Sequence, residues 1–144
     1  MLQIQNIREN KESIINALKK RNIDAEPMIS KVLELDEKRR SIQTELDATL
    51  AESNKLSKEI GMLFKSGKAQ EANVLKEKTA GLKEASKKLG DDLNTTANEL
   101  QQQLYLIPNV PHESVPAGNS DEDNEEVFRE GDIPTLSKEA LPHW

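Results

Sequence analysis

The chain has 144 residues, of which 32% are charged and 3% aromatic, with a formal net charge of −6 and no cysteine. That length suits one domain, but so few large side chains cannot build a thick globular core, and disulfides and thiolate zinc sites are excluded. There is no run of eighteen apolar residues and no basic-then-apolar leader after Met1, so the sequence reads as a soluble, cytoplasmic protein with no membrane partner.

The negative charge is unevenly spread. Residues 54–90 carry nine lysines and four glutamates, a balance of +5, whereas residues 1–53 come to −1 and residues 91–144 to −10.

Residues 2–21 are predicted to form one helix or two short ones. Ile4, Ile7, Ile14, Ile15 and Leu18 make an apolar stripe, and Asn10 is placed to cap a segment starting at Lys11. Lys19-Lys20-Arg21 suits a helix C-terminus, where cations meet the negative end of the dipole; a nucleic-acid contact is the weaker reading of the same triplet. The stripe needs a partner, expected to be the base of a helical arm built from residues 28–106.

Asp24 to Pro27 reads as a helix start, since proline lacks an N–H and fits a first turn. From Met28 onward, apolar-rich positions recur alternately four and three residues apart: Met28, Val32, Leu35, Arg39, Ile42, Leu46, Thr49, Ser53, Leu56, Ile60 and Leu63. A second run keeps that alternation from Ala72 through Leu75, Thr79, Leu82, Ser86, Leu89, Leu93, Thr96 and Leu100 to Gln103. A 3.5-residue repeat is a seam for packing one helix on another. Between the runs, residues 64–70 contain Gly67, a natural helix stop.

These features predict an all-α fold: a long antiparallel two-helix coiled-coil hairpin over 28–106, its tip near 64–70, with short helices packed at its base. Reversal at Gly67 sets Leu63 against Ala72, Ile60 against Leu75, Leu46 against Leu89 and Leu35 against Leu100. With Ile60 labelled a, every layer pairs an a position with a d position. Helices of roughly 38 residues make an arm about 55–60 Å long. Arg39, Thr49 and Ser53 are polar seam positions. Arg39 is expected to lay its stem along the seam with its head in water, and the Thr49–Ser86 layer to help set register. Gly81 and Gly90 lie off the seam, where each costs about 1 kcal/mol relative to alanine.

Residues 1–107 form the helical arm domain in this reading, and 108–144 a linker leading toward a further domain. The tail holds five of the six prolines, nine acids and two cations. Pro108 to Pro111 and Val115 to Gly118 are turn or extended signals, Asp121 to Glu126 an acidic loop, and Glu125 to Arg129 a short strand. An end at Pro142-His143-Trp144, with an aromatic side chain and nothing to bury it, implies more chain beyond Trp144.

No catalytic residues and no metal site are assigned. The chain has no glycine-rich phosphate loop, nucleophile elbow or zinc-type spacing, and His112 and His143 lack partners as ligands. The faces of the arm say more. One flank of the seam, positions e and b of both helices, presents Asn54, Ser57, Gly61, Phe64, Asn73, Lys76, Ala80, Lys83, Lys87 and Gly90 in the tip half, with three lysines and no acid. The opposite flank, g and c, mixes Glu59 and Glu71 with Lys55, Lys78 and Lys88; Glu59–Lys78 and Lys38–Glu99 are expected to pair across the seam. An acid-free cationic flank with amide and hydroxyl neighbours suits a phosphate backbone, gripped by shape without a stacking platform.

Several stretches resemble a known family. Leu35-Asp36-Glu37-Lys38-Arg39-Arg40, Asn54 to Gly61, Pro108-Asn109-Val110-Pro111 and Ser114-Val115-Pro116-Ala117-Gly118 are similar to the N-terminal tRNA-binding domain of bacterial-type seryl-tRNA synthetases. Pro142-His143-Trp144 is similar to the opening of that family's catalytic domain. The resemblance implies an arm that recognises serine tRNA at its long variable arm and TΨC side through backbone contacts. Asn54, Lys55, Ser57, Lys58, Lys76, Lys83 and Lys87 are the candidate tRNA-binding residues. It further implies a homodimeric parent whose own catalytic domain attaches serine to tRNA with ATP and magnesium, and no cofactor or catalysis in this part of the chain. One departure is that no arginine lies between Arg40 and Arg129, so bidentate phosphate contacts are not expected at the tip. Two other readings compete: a structural or chaperone-like hairpin clamping proteins with the tip patch Met62, Leu63, Phe64 and Val74, and a synthetase-like paralogue with a different partner.

Overall fold

A computed structural model describes residues 1–132 and 134–141. In chain order come α1 (Ile4–Glu9), α2 (Lys11–Leu18), a 3₁₀ turn (Lys19–Arg21), α3 (Glu26–Lys65), α4 (Ala69–Leu106) and a second 3₁₀ turn (Asp121–Asp123). The long helices pack along each other as the expected hairpin. At 40 and 38 residues, they make an arm about 57–60 Å long.

The helix boundaries follow from local chemistry. Pro27 occupies the first turn of α3. At the far end Gly67 takes φ +75°, a conformation open to a residue without Cβ. The Gly67 amide then donates to Phe64 O (3.2 Å) and the Lys68 amide to Leu63 O (3.0 Å). These paired bonds close the helix and turn the chain back.

Burial reproduces the seam. Between residues 44 and 88, the only side chains of α3 and α4 that are not exposed are the seam positions Leu46, Thr49, Ser53, Leu56, Ile60 and Leu63 on α3, and Ala72, Leu75, Thr79, Leu82 and Ser86 on α4. The polar layers are satisfied within each helix. Thr49 Oγ1 donates to Glu45 O (2.8 Å) and Ser86 Oγ to Lys83 O (2.9 Å), so no Thr49–Ser86 hydrogen bond fixes the register.

The core sits at the base. Ile7, Ile14 and Leu18 from α1 and α2 join Ala25, Ile29, Val32, Leu35, Leu100, Leu104 and Ile107 in one buried cluster. The N-terminal stripe thus finds the partner expected of it. Asn10 stands at the junction of α1 and α2 but does not cap. Its φ of −127° and ψ of 32° are off the extended conformation that a cap uses, and its side chain donates to Asn6 Oδ1 at 2.7 Å instead.

The tail turns back onto the base. Lys20 Nζ donates to Glu113 O (2.6 Å) and Val115 O (3.2 Å), and Arg21 Nη1 to Asn109 O (3.1 Å). Asn22, at φ +53°, donates from Nδ2 to Asn119 Oδ1 (2.6 Å). The basic triplet does end a helix, as expected, and two of its cations also hold tail carbonyls. Among the described residues there is no strand. Glu125 to Arg129 has no neighbouring edge to pair with, and Arg129 folds back on Glu126 (2.6 Å). Pro142 to Trp144, the stretch similar to the opening of a catalytic domain, lie outside the described residues.

Candidate nucleic-acid interface

Helical spacing puts Asn54, Ser57, Gly61 and Phe64 of α3 on the same side of the hairpin as Asn73, Lys76, Ala80, Lys83 and Lys87 of α4, and all of them are exposed. Ser57 and Ile60 face Lys76, Thr79, Ala80 and Lys83 across a shallow groove of about 270 Å³. Its floor is the seam and its rim is two lysines. The Nζ of Lys76 lies 4.8 Å from the centroid of the Phe64 ring, a cation–π contact that steers a flexible ammonium. Ser57 Oγ already donates to Ser53 O at 2.8 Å, so it faces the groove as an acceptor.

Among the described residues, no carboxylate lies within 4 Å of the ammonium of Lys55, Lys58, Lys76, Lys83 or Lys87. The opposite flank is partly neutralised, because Lys78 Nζ sits 2.7 Å from Glu52 Oε1. This corrects the expected Glu59–Lys78 pair. A long side chain at a g position can reach either of two acids a heptad apart, and the seam does not choose between them. Among the described residues Lys38 and Glu99 do not pair either.

The candidate residues therefore divide. Ser57, Lys76 and Lys83 share the groove, and Asn54 and Lys87 extend the same flank. Lys55, at position c, and Lys58, at position f, point to other faces of α3, so one ligand surface along the groove does not collect all seven.

Two features escaped sequence reading. The carboxylate of Asp36, 1% exposed, is ringed by Arg39 (3.0 Å), Arg40 (3.2 Å) and Arg8 (3.5 Å). Arg39 and Arg40 stand three and four residues after Asp36, a helical spacing that was visible; Arg8 arrives from α1 and was not. The expected role of Arg39, with its stem on the seam and its head in water, is thus only half of what it does. The other feature is the hold of Lys20, Arg21 and Asn22 on the tail, which joins residues some 90 positions apart. There Asp123 Oδ2 accepts from the backbone amides of Asn119 (2.7 Å) and Ser120 (3.2 Å). Those bonds favour the charged form and hold the carboxyl below its ordinary value of 3.8.

Among the described residues, no three His, Cys, Asp or Glu side chains gather as a metal site, and no helix is long and apolar enough to cross a membrane. His112 Nδ1 makes a local contact with Ser114 Oγ (2.8 Å).

Comparison with known proteins places the chain in a family. The family model for the seryl-tRNA synthetase N-terminal domain matches residues 1–111. Serine–tRNA ligases from Salinibacter ruber, Kosmotoga olearia and Thermotoga neapolitana are 33%, 38% and 37% identical over 144 residues, covering 100% of this chain and 34% of each relative. The chain thus spans about a third of the length of the curated relatives it matches. The crystal structure of seryl-tRNA synthetase from Pyrococcus horikoshii complexed with ATP superposes with a TM-score of 0.76 at 30% identity, over 85% of this chain and 27% of that one. A long antiparallel hairpin on a small helical base, matched by the family model over 111 of its residues, is a seryl-tRNA synthetase N-terminal domain, and the chain belongs to that family.

Proposed function

We propose that the arm binds serine tRNA by its sugar-phosphate backbone, with the e/b flank as the contact surface and the long variable arm as the feature recognised. The observation that carries this is the flank itself, which is exposed, free of acids in the tip half and lined with lysines that no carboxylate among the described residues neutralises. Lys76, Lys83 and Lys87 supply charge along the contour, and Asn54 supplies a hydrogen-bonding amide. Such a surface reads shape and backbone with little base readout.

The parent protein, on this proposal, is a homodimeric cytoplasmic ligase that attaches serine to tRNA. ATP and magnesium act in its catalytic domain. The arm's role, on this proposal, is to position the tRNA.

The test is a titration of serine tRNA across salt concentrations with a Lys76→Ala/Lys83→Ala/Lys87→Ala variant. Three lost phosphate contacts are expected to lower the slope of log K against log salt by about two to three. An unchanged slope and affinity refutes the flank assignment. A tRNA without a long variable arm should bind more weakly to the wild type; equal binding refutes the recognition feature. A protein-clamping role rests on the exposed Met62, Phe64 and Val74 at the tip. It predicts that replacing these three, and not the lysines, abolishes partner binding.

A further inference from the structure

The Asp36 cluster has more cation than a structural tie needs. One arginine would neutralise the buried carboxylate and join α1 to α3. Here three guanidiniums converge on it, and among the described residues no other carboxylate lies within 4 Å of any of them. The node keeps two positive charges in excess. It also keeps spare donors, since each guanidinium has five N–H groups and one carboxylate accepts about four bonds in all. The side chains of Arg8, Arg39 and Arg40 remain 41%, 34% and 50% exposed while the anion beneath them is 1% exposed. The buried acid therefore acts as a peg that holds cationic forks toward solvent. Like charges brought together this way repel, and a further anion on the outer side relieves that repulsion.

Asp36 and Arg40 occupy the same e/b flank of α3 as Ser57. Seventeen residues separate Arg40 from Ser57, about 25 Å along the helix. The tip half of that flank has lysines and no arginine, so the forks at the base are the one place along it, among the described residues, where planar, bidentate phosphate recognition is available.

We propose that Arg8, Arg39 and Arg40, organised by Asp36, form a second backbone site at the base of the arm that takes a phosphodiester of the bound RNA. This rests on the reading that the e/b flank faces RNA, and it adds an anchor that fixes where along the arm the RNA sits.

The experiment uses this chain and serine tRNA. Arg40→Gln is expected to weaken binding about three- to tenfold, as for one charge-assisted contact, and to reduce the salt slope by about one. Wild-type affinity and slope in Arg40→Gln overturn the proposal. If Arg40→Gln loses helix content, Arg40→Lys is read in its place: a retained salt slope with weaker binding supports a fork contact, and wild-type affinity overturns it. Inorganic phosphate alone probes the other source of the same chemistry. If it raises the melting temperature of the wild type but not of Arg40→Gln, while both bind RNA equally, the site takes free anions and the RNA assignment falls. A Lys76→Ala/Lys83→Ala variant reports separately on the groove. No effect there beside a loss in Arg40→Gln removes the groove and leaves the base site standing, and the reverse removes the base site alone.

Discussion

At the base of the arm, Ile29 and Val32 are fully buried, covered by α4 on one side and by α1 and α2 on another. Near the tip, Ile60 repeats the heptad position of Val32, and Leu63 follows it on the seam, but both meet only one neighbouring helix and stay partly exposed. The seam repeat continues unchanged from Val32 to Ile60, and the difference lies in how many helices surround it. Two cylinders bury a line, whereas four elements bury a volume. The base therefore supplies most of the folding free energy. The tip, thin and cationic, is left free to carry a contact surface.

The sharpest way to break this comparison is to truncate one residue in each region. Ile29→Ala should cost about 3 to 4 kcal/mol, the range for a fully enclosed branched side chain. Leu63→Ala should cost about 1 kcal/mol, because its side chain is already partly in water. Urea unfolding followed by circular dichroism measures both. Equal costs would mean that the seam, and not the base, dominates stability.

A second, smaller effect tests whether the buried charge belongs to the base's stability. Asp36→Asn removes the anion and leaves three guanidiniums facing one another. The loss is expected to be about 2 kcal/mol, below the full value for a broken buried pair because the arginines are half in solvent. It should shrink in high salt, which screens the remaining repulsion. A salt-independent loss would point to packing instead.

Most of the hairpin was legible because its signals are local or periodic. The four-three alternation, Pro27 at the start of α3 and Gly67 at the turn each act through their own stretch of backbone. What was not legible depends on elements meeting in space. Nothing near Arg8 announces Asp36. Lys20 cannot be matched to the carbonyls of Glu113 and Val115 until the tail is folded back. The choice of Glu52 over Glu59 by Lys78 is a matter of side-chain reach. In the candidate site, the acid-free flank was readable as a helical face. That Lys55 and Lys58 leave the groove follows from their heptad positions, whereas the contact of Lys76 with the Phe64 ring needed the hairpin's actual geometry.

Glycine substitutions sharpen the comparison along the tip half, at about 1 kcal/mol each. Gly67→Ala should destabilise by about that amount, since φ +75° is strained for any residue with a Cβ. Gly81→Ala and Gly90→Ala should each stabilise by a similar amount, because both are helical and an added Cβ meets nothing within 4 Å. The two differ in place. Gly90 lies on the e/b flank and Gly81 on the other. If RNA backbone runs along the e/b flank, Gly90→Ala weakens tRNA binding while it raises the melting temperature, and Gly81→Ala only raises the melting temperature. A binding loss at both or neither would put the contact elsewhere.

The smallest expected effect belongs to the tail and depends on pH. Asp123 accepts the amides of Asn119 and Ser120, and its carboxyl is held below the ordinary value of 3.8. A carboxyl with a lowered folded-state value favours the folded turn at pH above the unfolded value and loses that contribution as pH falls through the folded one. The 3₁₀ turn at Asp121–Asp123 should therefore be intact at neutral pH and open only as pH falls past the ordinary value of 3.8 toward the lowered folded-state value, in step with protonation of Asp123. Its opening frees Asn119, whose Oδ1 accepts from Asn22, so the grip of the base on the tail loosens with it. Amide chemical shifts of Asn119 and Ser120 followed against pH report the step. The Asp123→Asn variant should show loosened amides at every pH. Because Asp123 is fully exposed, the transition stays confined to the tail, and the shifts of Ile29 and Val32 in the base should not move with it; if they do, tail and base unfold as one unit and the two-region description fails.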